Sequence, residues 1–324
     1  HQLSFAHQVQ QPGFPLPFLT RKTVGPTLLH HGNDDQTAFF LPQVLAGEIF
    51  FAIGYSEPAA GTDPASLQTG AVRDGDDFVV NGQKIWTSDA DVSDWIFCLV
   101  RTDPDVKKQM GISFLLIDMK TPGITVNPII TLEGGDEVNE VFLDNVKVPV
   151  ENRVGNENEG WTYAKFLLSH ERSGIAGVAS SKRSIEKLKT IARTEFSNGV
   201  SLWDDADFRS NISDISIQLT ALEYTELRTL ASESAGKGPG PESSLLKVRG
   251  TEIGQRIDEL VVEATGYYSM PFRGGPATDS NVFPVGPEYA DGVAGAYFNA
   301  RKTSIFGGSN EIQRNIMAKA VLGL

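Results

Sequence analysis

The chain has 324 residues, 40% of them hydrophobic, enough to bury a sizeable core spread over two or three domains. Its 28 basic residues face 41 acidic ones, and a net charge of -13 repels phosphate backbones and argues against nucleic-acid binding. A single cysteine, Cys98, excludes an internal disulfide framework and fits a reducing, cytoplasmic setting, and no apolar run reaches the roughly 18–20 residues that span a bilayer.

In chain order, His1-Gln2-Leu3-Ser4-Phe5 carries neither an initiator methionine nor a signal-peptide pattern, and residues are expected before it. Over 1–47, Pro12, Pro15, Pro17 and Pro26 act as breakers. Leu28 to Gly32 is expected to end one helix, and Asn33 or Asp34 to cap the next, with Phe39, Phe40 and Leu41 on its apolar side. From 48 to 155 the pattern turns to strands. The Asn81-Gly82 pair between β-prone runs predicts a hairpin turn, and Trp95 to Val100, Ile112 to Ile117, Ile124 to Ile130 and Glu140 to Val148 follow as short strands. Five or more such strands predict a compact antiparallel barrel or sandwich, with Cys98 as a buried packing residue. Over 156–324, Trp161 to Glu195, Asp205 to Ala235, Ser243 to Tyr268, Pro287 to Ser304 and Asn310 to Leu322 predict helices.

Three segments carry chemistry. In Tyr55-Ser56-Glu57-Pro58-Ala59-Ala60-Gly61-Thr62-Asp63, Pro58 stiffens a turn, Gly61 admits close approach of a ligand, and Ser56 and Thr62 offer hydroxyls without bulk; the plain alternative is a strand-ending loop. In Lys84-Ile85-Trp86-Thr87-Ser88, Trp86 and Ser88 are two apart and in a strand share a face, as a flat ligand requires; the plain alternative is a buried core tryptophan. The third is Ile305-Phe306-Gly307-Gly308-Ser309-Asn310-Glu311-Ile312-Gln313. No G-x-G-x-x-G and no P-loop is present, and the histidines, including the adjacent His30-His31, show no metal-ligand spacing, so no metal is assigned.

These segments, in this order around a β-rich stretch, resemble the acyl-CoA dehydrogenase family of flavoproteins from about Val24 to Leu324. The resemblance implies an α+β fold: a remnant of an N-terminal helical domain (1–47), a central antiparallel β-barrel domain (48–155) that binds flavin and acyl group, and a C-terminal helical bundle (156–324). It implies FAD as cofactor, contacted by Tyr55, Ser56, Gly61, Thr62, Trp86, Thr87, Ser88, Ser309 and Glu311, with Thr62 also near the thioester. The usual late motif, Y-E-G-T-x-x-I-Q, carries the catalytic glutamate where this chain has Gly307. Some branches place that base in L-x-x-E-R, which Leu168-Ser169-His170-Glu171-Arg172 resembles. Glu171 is then the base and Arg172 a substrate-side residue, the alternative being a helix ion pair; His170 reads as a surface or CoA-side residue. The Gly307 backbone N–H is expected to polarise the thioester carbonyl, and Gly307 with Gly308 leaves room for a bulky, branched or ω-substituted acyl chain.

Two family motifs are altered: Arg193-Thr194-Glu195-Phe196 is a vestige of R-x-x-F-G, and Ala264-Thr265-Gly266-Tyr267-Tyr268 replaces Q-x-x-G-G-x-G, through which a neighbouring subunit holds FAD. Such losses resemble bacterial branches acting on dicarboxylyl-, aromatic- or steroid-derived CoA esters, several of them mixed-subunit complexes, and the late motif is similar to pimeloyl-CoA dehydrogenase large subunits. The implied reaction is α,β-dehydrogenation of an acyl-CoA to a trans-2-enoyl-CoA, as in fatty-acid β-oxidation, with electrons passed to an electron-transfer flavoprotein. A homotetramer or homodimer is expected, pairing through the helical bundle, or a heteromeric complex. The alternatives are a non-catalytic subunit of such a complex and a flavin oxidase or monooxygenase of the same fold.

Overall fold

The computed structural model describes residues 20–171, 176–236, 240–271, 283 and 285–324, which group into two compact units. The first, 20–131 with 136–171, is built on a sheet, and the second, 132–135 with 176–324, is helical. Among the described residues no helix is long and apolar enough to cross a membrane.

The sheet unit begins with a turn of π-helix, Thr20–Val24, that runs into α1, Gly25–His31, followed by α2, Asp34–Ala46. Asn33 caps α2 through a capping box: its side chain accepts the Gln36 N–H at 2.8 Å, and the Gln36 side chain accepts the Asn33 N–H at 3.2 Å. Gln36 Nε2 also donates to the carbonyls of Glu151 and Arg153 at 2.7 and 3.0 Å, which ties α2 to the segment following the sheet. Of the residues expected on its apolar side, Phe40 is buried and Leu41 half-buried, but Phe39 is 53% exposed. Three consecutive helix residues sweep about 200° and do not share one face.

Seven strands make one sheet: β1 Phe51–Gly54, β2 Gly70–Asp74, β3 Asp77–Ser88, β4 Trp95–Arg101, β5 Ile112–Asp118, β6 Ile124–Ile129 and β7 Val138–Pro149. Pairing is mostly antiparallel (β4 with β5, β2 with β3, β3 with β7, β7 with β6). Two pairings are parallel: β1 runs beside β4 from Phe51↔Trp95 to Gly54↔Cys98, and β2 touches β4 once, at Gly70↔Arg101. β1 and β2 thus both meet β4, and the chain between them, Tyr55 to Thr69, is an excursion from the sheet.

β4 and β5 read as unbroken apolar runs because both of their faces are covered. Phe97, Leu99, Phe114 and Leu116 join a core with Val24, Leu28 and Phe40 from the helices, and with Tyr163, Ala164 and Leu167 of α3, Gly160–Glu171. Ile96, Cys98, Val100, Leu115 and Ile117 pack on the other side with Phe78, Val80, Val141 and Val146. Cys98 is fully buried, and desolvation pushes its thiol up to about 11, as suits a packing residue.

The hairpin expected at Asn81-Gly82 is not there. The turn lies at Gly75-Asp76, between Asp74 and its partner Asp77, and Asn81-Gly82 sits inside β3 at a register shift against β7. Gly82 serves close approach instead: a Cβ there would meet Thr69 Oγ1 at 2.5 Å and Thr69 Cα at 2.7 Å.

The helical unit is a bundle around α6, Glu242–Thr265, which packs on α4, Val178–Thr194, α5, Ala206–Ser234, α7, Val293–Ala300, and α8, Asn310–Met317. Phe208, Ile212, Ile215, Leu219 and Leu222 recur at helical spacing along α5 and meet Ile185, Leu188 and Ile191 of α4 and Leu246, Ile253, Ile257 and Leu260 of α6. The single helix expected over Trp161 to Glu195 is divided: α3 ends at Glu171, and α4 starts at Val178 after Gly177, whose φ of 60° breaks the helical path. A short hairpin of β8, Phe196–Ser197, and β9, Val200–Ser201, joins α4 to α5.

Candidate functional site

In the sheet unit, the Tyr55–Asp63 segment forms the first part of the excursion between β1 and β2. Tyr55 is buried with its ring edge-on to Phe97, and the Ser56 carbonyl accepts the Ile85 N–H at 3.0 Å. Glu57 and Ala60 exchange backbone hydrogen bonds of 3.1 and 3.0 Å, closing a turn over Pro58-Ala59. Gly61 and Thr62 beyond it are exposed, and apart from its chain neighbours no described atom lies within 4 Å of where a Gly61 Cβ would sit.

The excursion is held by a buried ion pair. Glu57, 7% exposed, accepts from the Gln68 and Thr69 N–H groups at 2.6 and 3.0 Å and from Lys84 Nζ at 2.7 Å. Lys84, with no exposed surface, also donates to the Leu99 carbonyl at 2.7 Å and reaches that of Tyr55 at 3.5 Å. Burial alone would push the Glu57 carboxyl up. The Lys84 charge and the hydrogen bonds from Lys84, Thr69 and Gln68 outweigh it and hold the group below the ordinary range. Neither residue was among the expected site residues. No local signal in the sequence marks them, since a Glu in a turn and a Lys among Asn81, Gln83 and Thr87 are ordinarily solvated.

Two residues past Lys84, β3 bulges. The register against β7 shifts between Lys84 and Thr87, and Trp86 takes a left-handed backbone, φ 58°. The bulge breaks the alternation, so the spacing of Trp86 and Ser88 does not by itself set a common face. Trp86 is 59% exposed rather than buried in the β-core. Thr87 is buried, its carbonyl accepting from Asn139 Nδ2 at 3.3 Å, and its hydroxyl has no hydrogen-bond partner among the described residues. A non-glycine residue at positive φ and an unpartnered buried hydroxyl in adjacent positions are features concentrated at ligand sites.

Glu171 is the last residue of α3, its side chain outside the described residues together with those of Ser169 and His170. Arg172 lies outside them altogether.

In the helical unit, Gly307 and Gly308 both take positive φ, 64° and 79°, a run that residues with a Cβ avoid. Ser309 then caps α8, its Oγ accepting the Ile312 N–H at 3.3 Å. Glu311 is exposed, its carboxyl held below the usual range first by its own backbone N–H. Behind this loop, Ser244, Lys247 and Thr251 of α6 meet Asn310 and Gln313 of α8 through buried hydrogen bonds. Arg193 of the altered R-x-x-F segment lies over the Trp203 ring at 4.3 Å. A cavity of about 380 Å³ opens beside Arg183, Lys187, Asp258 and Asp291 and includes none of the expected site residues. Burial pushes Asp258 there up to about 6 against the pull of Arg301.

Residues 52–146 match the model of the acyl-CoA dehydrogenase middle domain, and residues 158–322 that of the acyl-CoA dehydrogenase C-terminal domain. The chain is 36% identical to acyl-CoA dehydrogenase FadE26 of Mycobacterium tuberculosis over all of its length and 80% of that protein's. Among solved structures it is similar to the ChsE4–ChsE5 complex from Mycobacterium tuberculosis (36% identity, TM-score 0.85, covering 100% of this chain and 81% of that one). It is similar also to the Tcur3481–Tcur3483 steroid ACAD (34% identity, TM-score 0.85, covering 98% and 79%).

Proposed function

This chain belongs to the FAD-dependent acyl-CoA dehydrogenase family, and we propose that it oxidises the Cα–Cβ bond of a bulky acyl-CoA thioester to a trans-2-enoyl-CoA. The observation that carries the cofactor assignment is in the sheet unit. The Ser56 carbonyl to Ile85 N–H bond and the Glu57–Lys84 pair tie the Tyr55–Asp63 excursion to the strand just ahead of Trp86. The exposed Trp86 ring, the unpartnered Thr87 hydroxyl and the open space at Gly61 fit a planar ligand with polar edges. Tyr55, Ser56, Gly61, Thr62, Trp86, Thr87 and Ser88 are the residues proposed to hold FAD from this unit, and Ser309 and Glu311 those from the helical unit.

FAD, when bound, supplies the two-electron acceptor of the oxidation. Glu171 is proposed to take the α-proton, the role its match to L-x-x-E-R implies, with Arg172 and Thr62 beside the substrate. The Gly307 N–H is proposed to donate to the thioester oxygen as charge builds on it. Its positive φ supports a backbone role: a glutamate there would carry left-handed strain of roughly 1 kcal/mol or more. The bulky acyl chain is argued from the room left by the lack of any side chain at Gly307 and from the steroid named for one relative. An electron-transfer flavoprotein is the proposed acceptor.

A second reading, a subunit of a mixed complex, is favoured by two relatives whose structures are of two-protein complexes and by Arg193 being engaged with its own chain's Trp203. One experiment separates the readings: the visible spectrum of the purified chain, followed anaerobically with a panel of acyl-CoA esters. Bleaching of a bound-flavin band by one ester supports the dehydrogenase and identifies its substrate class. Colourless protein that takes up FAD only with a co-expressed partner supports the subunit reading. With an active protein in hand, Glu171→Gln is expected to lower kcat by at least ~10²-fold; full activity would remove Glu171 as base.

A further inference from the structure

A lysine is buried behind the late glycine loop, its nearest polar partner an amide rather than a carboxylate among the described residues. Lys247, 1% exposed, donates to Asn310 Oδ1 at 2.8 Å, and among the described residues no carboxylate forms an ion pair with it. Burial pulls its ammonium down and exposed Glu311 pushes back. The site is unfavourable on a second count, because Asn310 begins α8 and the positive end of a helix repels a cation. An apolar side chain of similar length would cost less there. What it could not do is donate to Asn310.

The contacts run on from Asn310 to the loop. Asn310, 4% exposed, donates from Nδ2 to Thr251 Oγ1 at 3.1 Å, and that hydroxyl also lies 3.3 Å from Oδ1, so it is Lys247, which can only donate, that settles which way the amide faces. One turn further along α8, Gln313 accepts from Ser244 Oγ at 2.7 Å and reaches back with Nε2 to the carbonyls of Gly307 and Gly308 at 3.4 and 3.5 Å. Ser244, Lys247 and Thr251 lie at steps of three and four on one face of α6, and Asn310 and Gln313 are three apart on α8. The two glycines have little conformational preference of their own and hold their positive φ values where this brace fixes them.

We propose that Lys247 is a positioning residue: acting through Asn310, it sets the first turn of α8 and with it the backbone of Gly307 and Gly308. This deepens the dehydrogenase reading and rests on it for its catalytic consequence, since the Gly307 N–H is the donor that reading uses.

The test compares Lys247→Met, Asn310→Ala and the double variant as purified chains, by amide hydrogen exchange and by steady-state kinetics. In Lys247→Met, peptides covering Ile305 to Glu311 are expected to exchange about tenfold faster, with the melting temperature moving only a few degrees. On the ester that reduces the wild type, kcat is expected to fall by ~10²-fold with KM within about threefold. The double variant should do no worse than either single one, because the two residues act in series. Unchanged exchange in the loop, or effects that add, would overturn the proposal. Where Lys247→Met does not fold, Thr251→Val decides: it keeps the lysine and removes the partner of the Asn310 amide, and faster loop exchange supports the brace while unchanged exchange refutes it. The exchange result stands even where no ester reduces the wild type, in which case the dehydrogenase reading fails by itself.

Discussion

Single residues in this protein are set by whether a buried polar group finds its partner. The Glu57 carboxylate accepts from Gln68, Thr69 and Lys84, while the Lys84 ammonium reaches Glu57 and the carbonyls of Leu99 and Tyr55. Each becomes a liability without the other. Glu57→Gln is expected to destabilise the sheet unit by about 3–5 kcal/mol, since it strands the Lys84 charge where no water reaches. Glu57→Gln with Lys84→Met should recover most of that in a denaturant melt, while leaving the excursion looser and flavin more weakly held. Recovery of stability without any loss of flavin would argue that the pair serves folding only. Neither residue stands out by type in the sequence, because a Glu in a turn and a Lys in a strand are ordinarily solvated; only the enclosure on both sides makes them matter.

At the scale of elements, β3 shows how local signals and packing compete. Asn-Gly is a strong turn pair, yet here Gly75-Asp76 makes the turn and Gly82 instead gives way to Thr69. Gly82→Ala is therefore expected to cost about 1–3 kcal/mol by overpacking. Gly75→Asn, with open space around the Cβ position and a residue type that tolerates left-handed backbone, should cost well under that in the same melt. The contact of α1 with α3 predicts a pH dependence. The His31 ring packs on Tyr163 and Phe166 at 4.7 Å, and its Nε2 is buried with no hydrogen-bond partner among the described residues. Desolvation, then neighbouring His30, holds its pKa below the ordinary value of 6.5. The unfolded chain thus takes up a proton that the folded chain resists, so stability present above about pH 6.5 declines as the pH falls through that value toward the lower folded one. His31→Phe should flatten the drop in melting temperature between about pH 7.5 and about pH 5.5; an unchanged drop would place the titration elsewhere.

For the whole molecule, ligand linkage offers the broadest check. FAD at about a hundred times its dissociation constant is expected to stabilise the folded protein by about 2.7 kcal/mol. Trp86→Ala, which removes a side chain from a position already 59% exposed, should leave the melting temperature without FAD nearly unchanged and shrink that increment. The sequence by itself determined the broad succession of helices, strands and helices, though not each element's bounds, because hydrophobic period is a local property: period two through the β-region, a near-continuous run where β4 and β5 are covered on both faces, and helical spacing along α5 and α6. Its motifs also determined the family, since the Tyr55–Asp63 and Ile305–Gln313 segments carry it in their residue types. What only the tertiary structure decided is which neighbours meet. The parallel course of β1 beside β4, the burial of the Glu57–Lys84 pair and the Lys247–Asn310 brace all join residues 27 to 63 positions apart, and the bulge that leaves Trp86 exposed depends on the pairing of β3 with distant β7. Such contacts depend on which surfaces exclude water together, and no local pattern encodes that.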